Sequence, residues 1–224
     1  MTVADRSASV SRSIPAATVG RYLVQPPVDG RSNLALVGFH GYGENAERHL
    51  EHLRRIPGTD AWTLCAVQAL HRFYTRQNEV VGSWMTSQDR EQAIRDNVRY
   101  VAAAVTAIDQ EFGPFARVVF AGFSQGVAMA YRAAAALTER CDGLIVLAGD
   151  VPPDIKDAAV ALPPVLLGRG TRDEWYTDEK LAADVAALRS RAVSLETVTF
   201  EGAHEWHSEF VDAAGAFLHR LRSG

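Results

Sequence analysis

The chain has 224 residues, is 47% hydrophobic and 22% charged, and carries a formal net charge of −4. That length and balance suit one globular domain with a large core. They exclude a broad basic field for nucleic acid or an anionic membrane, and no apolar run is long enough to span a bilayer.

Residues 1–13 are polar and small, without the apolar segment of a secretory signal, and are expected to form a flexible tail before a single domain over 14–224. The two cysteines, Cys65 and Cys141, lie in or beside apolar runs and lack metal-ligand spacing. They read as free buried thiols of a reducing compartment, so the expected location is the cytoplasm.

In chain order, Arg21 to Val24 reads as a first strand and Leu34 to Phe39 as a strong second one. Ala46 to Ile56 reads as a helix, and Trp62 to Val67 as a strand. Gln68 to Thr86 shows no clear period and is expected to be irregular. Thr86-Ser87-Gln88-Asp89 reads as a helix start. Ile94, Val98, Val101, Val105, Ile108 and Phe112 then recur at helical spacing until Gly113-Pro114 stops them. Ala116 to Ala121 reads as a buried strand and Val127 to Leu137 as an alanine-rich helix. Leu144 to Ala148 and Pro164 to Leu167 read as strands. Thr177 is placed to cap a helix with the stripe Leu181, Val185 and Leu188. Leu195 to Phe200 reads as the last strand, and Phe210 to Leu221 marks a C-terminal helix. Alternation of this kind predicts a mostly parallel sheet with helices on both faces. Ligands of such sheets bind at the carboxyl ends of the strands. The residues just after each strand are therefore the informative ones.

Between the buried strand and the alanine-rich helix stands Gly122-Phe123-Ser124-Gln125-Gly126. A serine between two glycines at a strand-to-helix junction is the nucleophile elbow of an α/β-hydrolase. Side chains at the glycine positions would collide with the neighbouring strand or helix. Asp173 follows a later strand, and His204 follows the last one. Ser124, Asp173 and His204 thus occur in the chain order that this fold uses for nucleophile, acid and base. Asp150, one strand before Asp173, is a competing acid. The earlier loop His40-Gly41-Tyr42-Gly43 is expected to supply one oxyanion donor, the Tyr42 N–H, with the Gln125 N–H as the other. His40 reads as a scaffold hydrogen-bonder rather than a base. His204-Glu205-Trp206-His207 lacks zinc-motif spacing, so no metal and no organic cofactor is expected. Phe73, Trp84, Met85, Trp175 and Trp206 are candidate substrate-binding residues. Arg72 and Arg76 read as solvated surface. The fourteen residues Gly149 to Leu162 are too few for a cap domain.

Taken with Ser83-Trp84 and Leu147-Ala148-Gly149, these motifs resemble the phospholipase/carboxylesterase family, small serine esterases that include the acyl-protein thioesterases. The resemblance runs from about residue 33 to the end. It implies the α/β-hydrolase fold, Ser124 as nucleophile, His204 as base, Asp173 as acid, and Tyr42 and Gln125 as oxyanion donors. The expected substrate is a small-molecule ester or thioester of a small or medium acyl group. Nucleic-acid and membrane-spanning roles are not expected, and a homodimer is left open. Ala148-Gly149 departs from the Ser-Gly often found in the family, Asp150 adds a charge, and Trp175 replaces a small aliphatic environment. The rival readings are a non-catalytic binding protein on the same fold, and a peptidase or acyltransferase using the same residues.

Overall fold

The computed structural model describes residues 9–223. Most of the tail expected over 1–13 lies outside the described residues, and residues 9–13 carry no regular secondary structure. A seven-stranded sheet in the order β1-β3-β2-β6-β7-β8-β9 organises the chain. Its strands are β1 (Arg21–Gln25), β2 (Leu34–Phe39), β3 (Thr63–Gln68), β6 (Arg117–Phe123), β7 (Gly143–Leu147), β8 (Val165–Gly170) and β9 (Leu195–Phe200). Only β1 runs antiparallel, paired with β3; every other neighbour is parallel.

The central strands are buried on both faces, which is why they read as unbroken apolar runs rather than as alternation. Both faces are covered. Helices α2 (Arg90–Phe112) and α3 (Gln125–Ala136) and part of α5 (Asp178–Ser190) pack over Val37, Phe39, Phe120 and Val146. On the other face, α1 (Ala46–Arg54) and α6 (Ser208–Ser223) pack over Leu36, Leu64, Ala121 and Ile145. Each such large buried side chain contributes about 1.5–3 kcal/mol. The connection from β7 to β8 holds only the short α4 (Pro153–Lys156), so no cap is built there.

Several local expectations need correction. The segment after β3 is not irregular: β4 (His71–Tyr74) and β5 (Val80–Ser83) form an antiparallel hairpin with Tyr74 opposite Val80. Its strands are only four residues each, and the first, His71–Tyr74, is mostly exposed, so neither shows a strand period. Helix α2 begins at Arg90, and Asp89 precedes it in the left-handed region (φ 50) without a side-chain cap bond. Thr177 sits at the N-cap of α5 but makes no side-chain cap hydrogen bond. The amphipathic face of α2 includes Val101, Val105 and Ile108 as expected, and adds the buried Asn97, which donates to the carbonyls of Trp84 and Ala93. Cys65 and Cys141 are free and buried, and burial pushes both thiols up to about 12.

Candidate active site

Ser124 occupies the sharp turn between β6 and α3 with φ 53 and ψ −119. A non-glycine residue is held there only when the surroundings over-determine it. The surroundings here are backbone. The Ser124 N–H donates to Leu147 O at 2.9 Å, and Ser124 O accepts from Val127 N–H at 3.0 Å. A Cβ on Gly122 would lie 2.6 Å from Gly126 O. A Cβ on Gly126 would strike the carbonyl of Phe39. These two glycines let strand, turn and helix close on one another, and Ser124 is left facing an open cleft of about 880 Å³.

His204 borders the same cleft. Its ring packs on Phe123, the residue before Ser124, with ring centroids 4.9 Å apart. The Nδ1 of His204 lies 2.8 Å from Oδ2 of Asp173. Asp173 is buried, and its Oδ1 accepts the N–H groups of Trp175 at 2.8 Å and Tyr176 at 2.9 Å. A carboxylate fixed in this way favours the His204 tautomer with its proton on Nδ1, which leaves Nε2 as the basic nitrogen. The competing acid Asp150 instead meets Lys180 at 3.3 Å.

The loop after β2 borders the cleft at Tyr42, and the start of α3 borders it at Gln125. Among the described residues, neither N–H makes a loop, turn or cap hydrogen bond with the backbone, whereas their neighbours are committed. The Gly43 N–H donates to Gly82 O at 3.0 Å, and the Gly82 N–H donates to Glu44 O at 2.8 Å. The Gly41 N–H donates to the Glu44 carboxylate at 2.8 Å. Burial raises the proton affinity of Glu44, opposed by that hydrogen bond and by the positive field of Arg48. His40 is fully buried: Nδ1 donates to Gly41 O at 2.7 Å, and Nε2 accepts the Ala69 N–H at 3.0 Å. Burial lowers its pKa to about 4, so the ring is a neutral strut.

The candidate substrate-binding residues divide. Met85 and Trp175 line the cleft. Trp84 does not: it is fully buried, packs edge-on against Phe39, and donates Nε1–H to His40 O at 2.8 Å. Trp206 is also turned inward, stacked on His52 with ring centroids 5.3 Å apart and packed against Phe210. Phe73 lies behind Tyr42 at 5.5 Å and supports it instead of facing the cleft. Large aromatic side chains near a site are as readily recruited to the core as to the pocket.

Two roles were missed. The Gln125 side chain accepts the Trp84 N–H at 2.8 Å and donates to Met85 O at 3.1 Å, fastening the end of the hairpin segment to the elbow. Asp184 is fully buried on α5, and its carboxylate takes the Val151 N–H and the Tyr176 hydroxyl, both at 2.9 Å. Lys156 adds an ion pair with it at 2.5 Å. Asp184 thereby joins the loop after β7 to the loop carrying Asp173. The available signal was an acid set among Leu181, Val185 and Leu188 on the apolar stripe. No group of three or more His, Cys, Asp or Glu side chains is placed to hold a metal among the described residues. A smaller hollow of about 440 Å³ lies at the opposite end of the sheet, by Leu34 and Arg117.

The mostly parallel sheet, with its strand-turn-helix elbow at the carboxyl edge, makes this an α/β-hydrolase. Residues 24–222 match the phospholipase/carboxylesterase family, and the chain belongs to it. It is a carboxylesterase/phospholipase-like enzyme, of a family that hydrolyses esters. The fold is similar to that of esterase PE8, at 22% identity and TM-score 0.75 over 91% of this chain and 100% of that one. It is similar to acyl-protein thioesterase 2 of Zea mays, at 18% identity and TM-score 0.68 over 91% and 99%. A carboxylesterase of Bacillus cereus aligns at 14% identity and TM-score 0.71 over 90% and 94%. No curated protein matches the sequence.

Proposed function

We propose that the chain is a serine hydrolase that cleaves carboxylic esters, and thioesters of the same acyl groups, through an acyl-enzyme. The observation that carries this reading is the 2.8 Å contact between Asp173 and His204 beside a cleft that His204 shares with Ser124. Nε2 of His204 takes the Ser124 hydroxyl proton as Oγ attacks the carbonyl carbon. The charge that develops on the carbonyl oxygen is met by the N–H groups of Tyr42 and Gln125, at roughly 3 kcal/mol per donor. Asp173 stabilises the imidazolium. The alcohol or thiol then leaves with the proton from Nε2. Water, deprotonated by the same nitrogen, attacks the acyl carbon and frees the acid. No metal or organic cofactor takes part in this scheme.

The experiment is covalent labelling with a fluorophosphonate probe and intact-mass analysis. The expected result is one adduct, located on Ser124, with labelling and ester turnover both lost in Ser124→Ala. Retention of either by Ser124→Ala overturns the assignment. Turnover of aryl esters also separates this reading from a non-catalytic receptor on the same fold. A panel of ester, thioester and amide substrates separates it from a peptidase.

A further inference from the structure

The cleft beside Ser124 carries a charge pattern that ester hydrolysis itself does not use. Of the charged side chains that line it, Arg90, Lys156 and Lys180 are cations and Asp150 is a carboxylate; with the buried Asp184 paired to Lys156, one positive charge is left over. The whole chain has the opposite sign, −4, so the excess is local and not a by-product of a basic composition.

These cations are not equivalent to freely solvated surface lysines. Lys156 is half-buried, and its ammonium is fixed at 2.5 Å by Asp184, a carboxylate with no exposure of its own. Lys180 donates to Trp175 O at 2.8 Å and meets Asp150 at 3.3 Å, so it too is held at the wall. Arg90, the first residue of α2, has no hydrogen bond or ion pair among the described residues. Its field reaches Asp154, which is already gripped by the buried Arg132 at 2.8 and 2.6 Å. Two anchored ammonium groups and an uncommitted guanidinium therefore border one cavity. Anchored side chains lose little further entropy when they bind an anion, and a guanidinium pairs carboxylate and phosphate in a planar, bidentate way. The same cavity is also lined by the apolar Met85, Ala128 and Val151, which suits a hydrocarbon spacer.

We propose that the ester taken by this cleft carries a second, anionic group, a carboxylate or a phosphate, held by Arg90, Lys156 and Lys180 while its carbonyl lies at Ser124. This inference rests on the hydrolytic reading above and specifies its substrate class. The anion neither reacts nor exchanges protons in the scheme; it orients the ester.

The test compares matched pairs. The first is p-nitrophenyl hydrogen adipate against p-nitrophenyl hexanoate, with the charge on the acyl side. The second is butyryloxypropyl phosphate against butyl butyrate, with the charge on the alcohol side and hydrolysis followed in a pH-stat. The expected result is a kcat/KM ratio of charged to neutral ester of about tenfold in at least one pair, the size of one good charge-assisted contact. That ratio is expected to fall about threefold in Arg90→Gln, to approach one when Lys180→Gln is added, and to shrink as salt is raised. The pair that responds identifies the side on which the anion sits. A ratio at or below one in both pairs, or a ratio unmoved by Arg90→Gln, overturns the proposal. Calorimetric binding of adipate against hexanoate to Ser124→Ala protein separates the two readings. Preferential adipate binding without turnover in the parent enzyme defeats the hydrolytic reading alone. Equal binding alongside normal turnover, with no preference in the phosphate pair, defeats only this one.

Discussion

Asp173 divides its carboxylate between two tasks, with Oδ2 at 2.8 Å from His204 and Oδ1 under the N–H groups of Trp175 and Tyr176. The backbone bonds fix the acid, and the fixed acid fixes the ring. Replacing Asp173 by Asn keeps the shape but offers Nδ1 either an amide N–H or a neutral acceptor. The ring then loses both its tautomer preference and its counter-charge. The expected loss in kcat for an aryl ester is roughly 10³–10⁴-fold. Asp150→Asn breaks only the contact with Lys180 at the rim and is expected to leave kcat within a few-fold. A larger loss from Asp150→Asn than from Asp173→Asn in the same assay would reverse the assignment of the acid.

The elbow is a packing device before it is a chemical one. Gly126 lies against the carbonyls of Phe39 and His40, and neither can retreat, because β2 is bonded in the middle of the sheet between β3 and β6. Gly126→Ala is therefore expected to cost about 3 kcal/mol or more in urea unfolding, the size of a backbone clash in a close-packed interior. An unchanged unfolding midpoint would show that α3 can slide away from β2.

Gln125 is expected to matter twice, once through its main-chain N–H and once through its side chain. The side chain bridges Trp84 N–H and Met85 O, and Ser83 Oγ lies 3.3 Å from its Oε1. Gln125→Ala leaves those groups without a partner at a cost of about 1–3 kcal/mol. It also frees the wall that carries Met85. KM for a hexanoyl ester is expected to rise about tenfold, while the yield of fluorophosphonate adduct stays the same. Gln125→Glu keeps the acceptor for Trp84 but loses the donor to Met85, so it is expected to fall between the two. Equal KM values in all three proteins would remove the side chain from the site.

The parts legible in the sequence were those governed by local rules. The five inner strands β2, β3, β6, β7 and β8 were readable because buried parallel strands are continuous apolar runs. The elbow was readable because Gly122 and Gly126 flank Ser124 at a strand-helix junction. Contacts between distant segments were not. In the hairpin, His71–Tyr74 is mostly exposed, and Val80–Ser83, though largely buried, is four residues long and offers no apolar alternation. For Phe73, Trp84 and Trp206, a sequence shows that an aromatic residue lies near a site but not which way its ring turns. The cationic wall was illegible for the same reason. Arg90, Lys156 and Lys180 come from three helices and meet only in the fold, whereas Arg72, in the segment after β3, turns to Val19 O at 3.0 Å.

A last consequence concerns acid. Three histidines, His40, His49 and His52, lie in the sector around α1, and burial is the main cause that lowers the proton affinity of each. His40 and His52 fall to about 4, and His49 lies well below its usual range. The unfolded chain protonates such rings near pH 6.5. Below that value the unfolded state holds more protons than the native state, so stability falls as pH falls. For His40 and His52 the loss runs from about pH 6.5 down to about 4, at up to about 1.4 kcal/mol per pH unit for each ring. His52 is the one of the three to replace. It is partly exposed and stacks on Trp206 with an interplanar angle of 10°, a geometry that phenylalanine reproduces. His52→Phe is expected to retain the neutral-pH melting temperature and to flatten its decline between pH 6.5 and 4. Parallel melting curves for the two proteins across that range would mean that His52 is solvated and plays no part in the acid response.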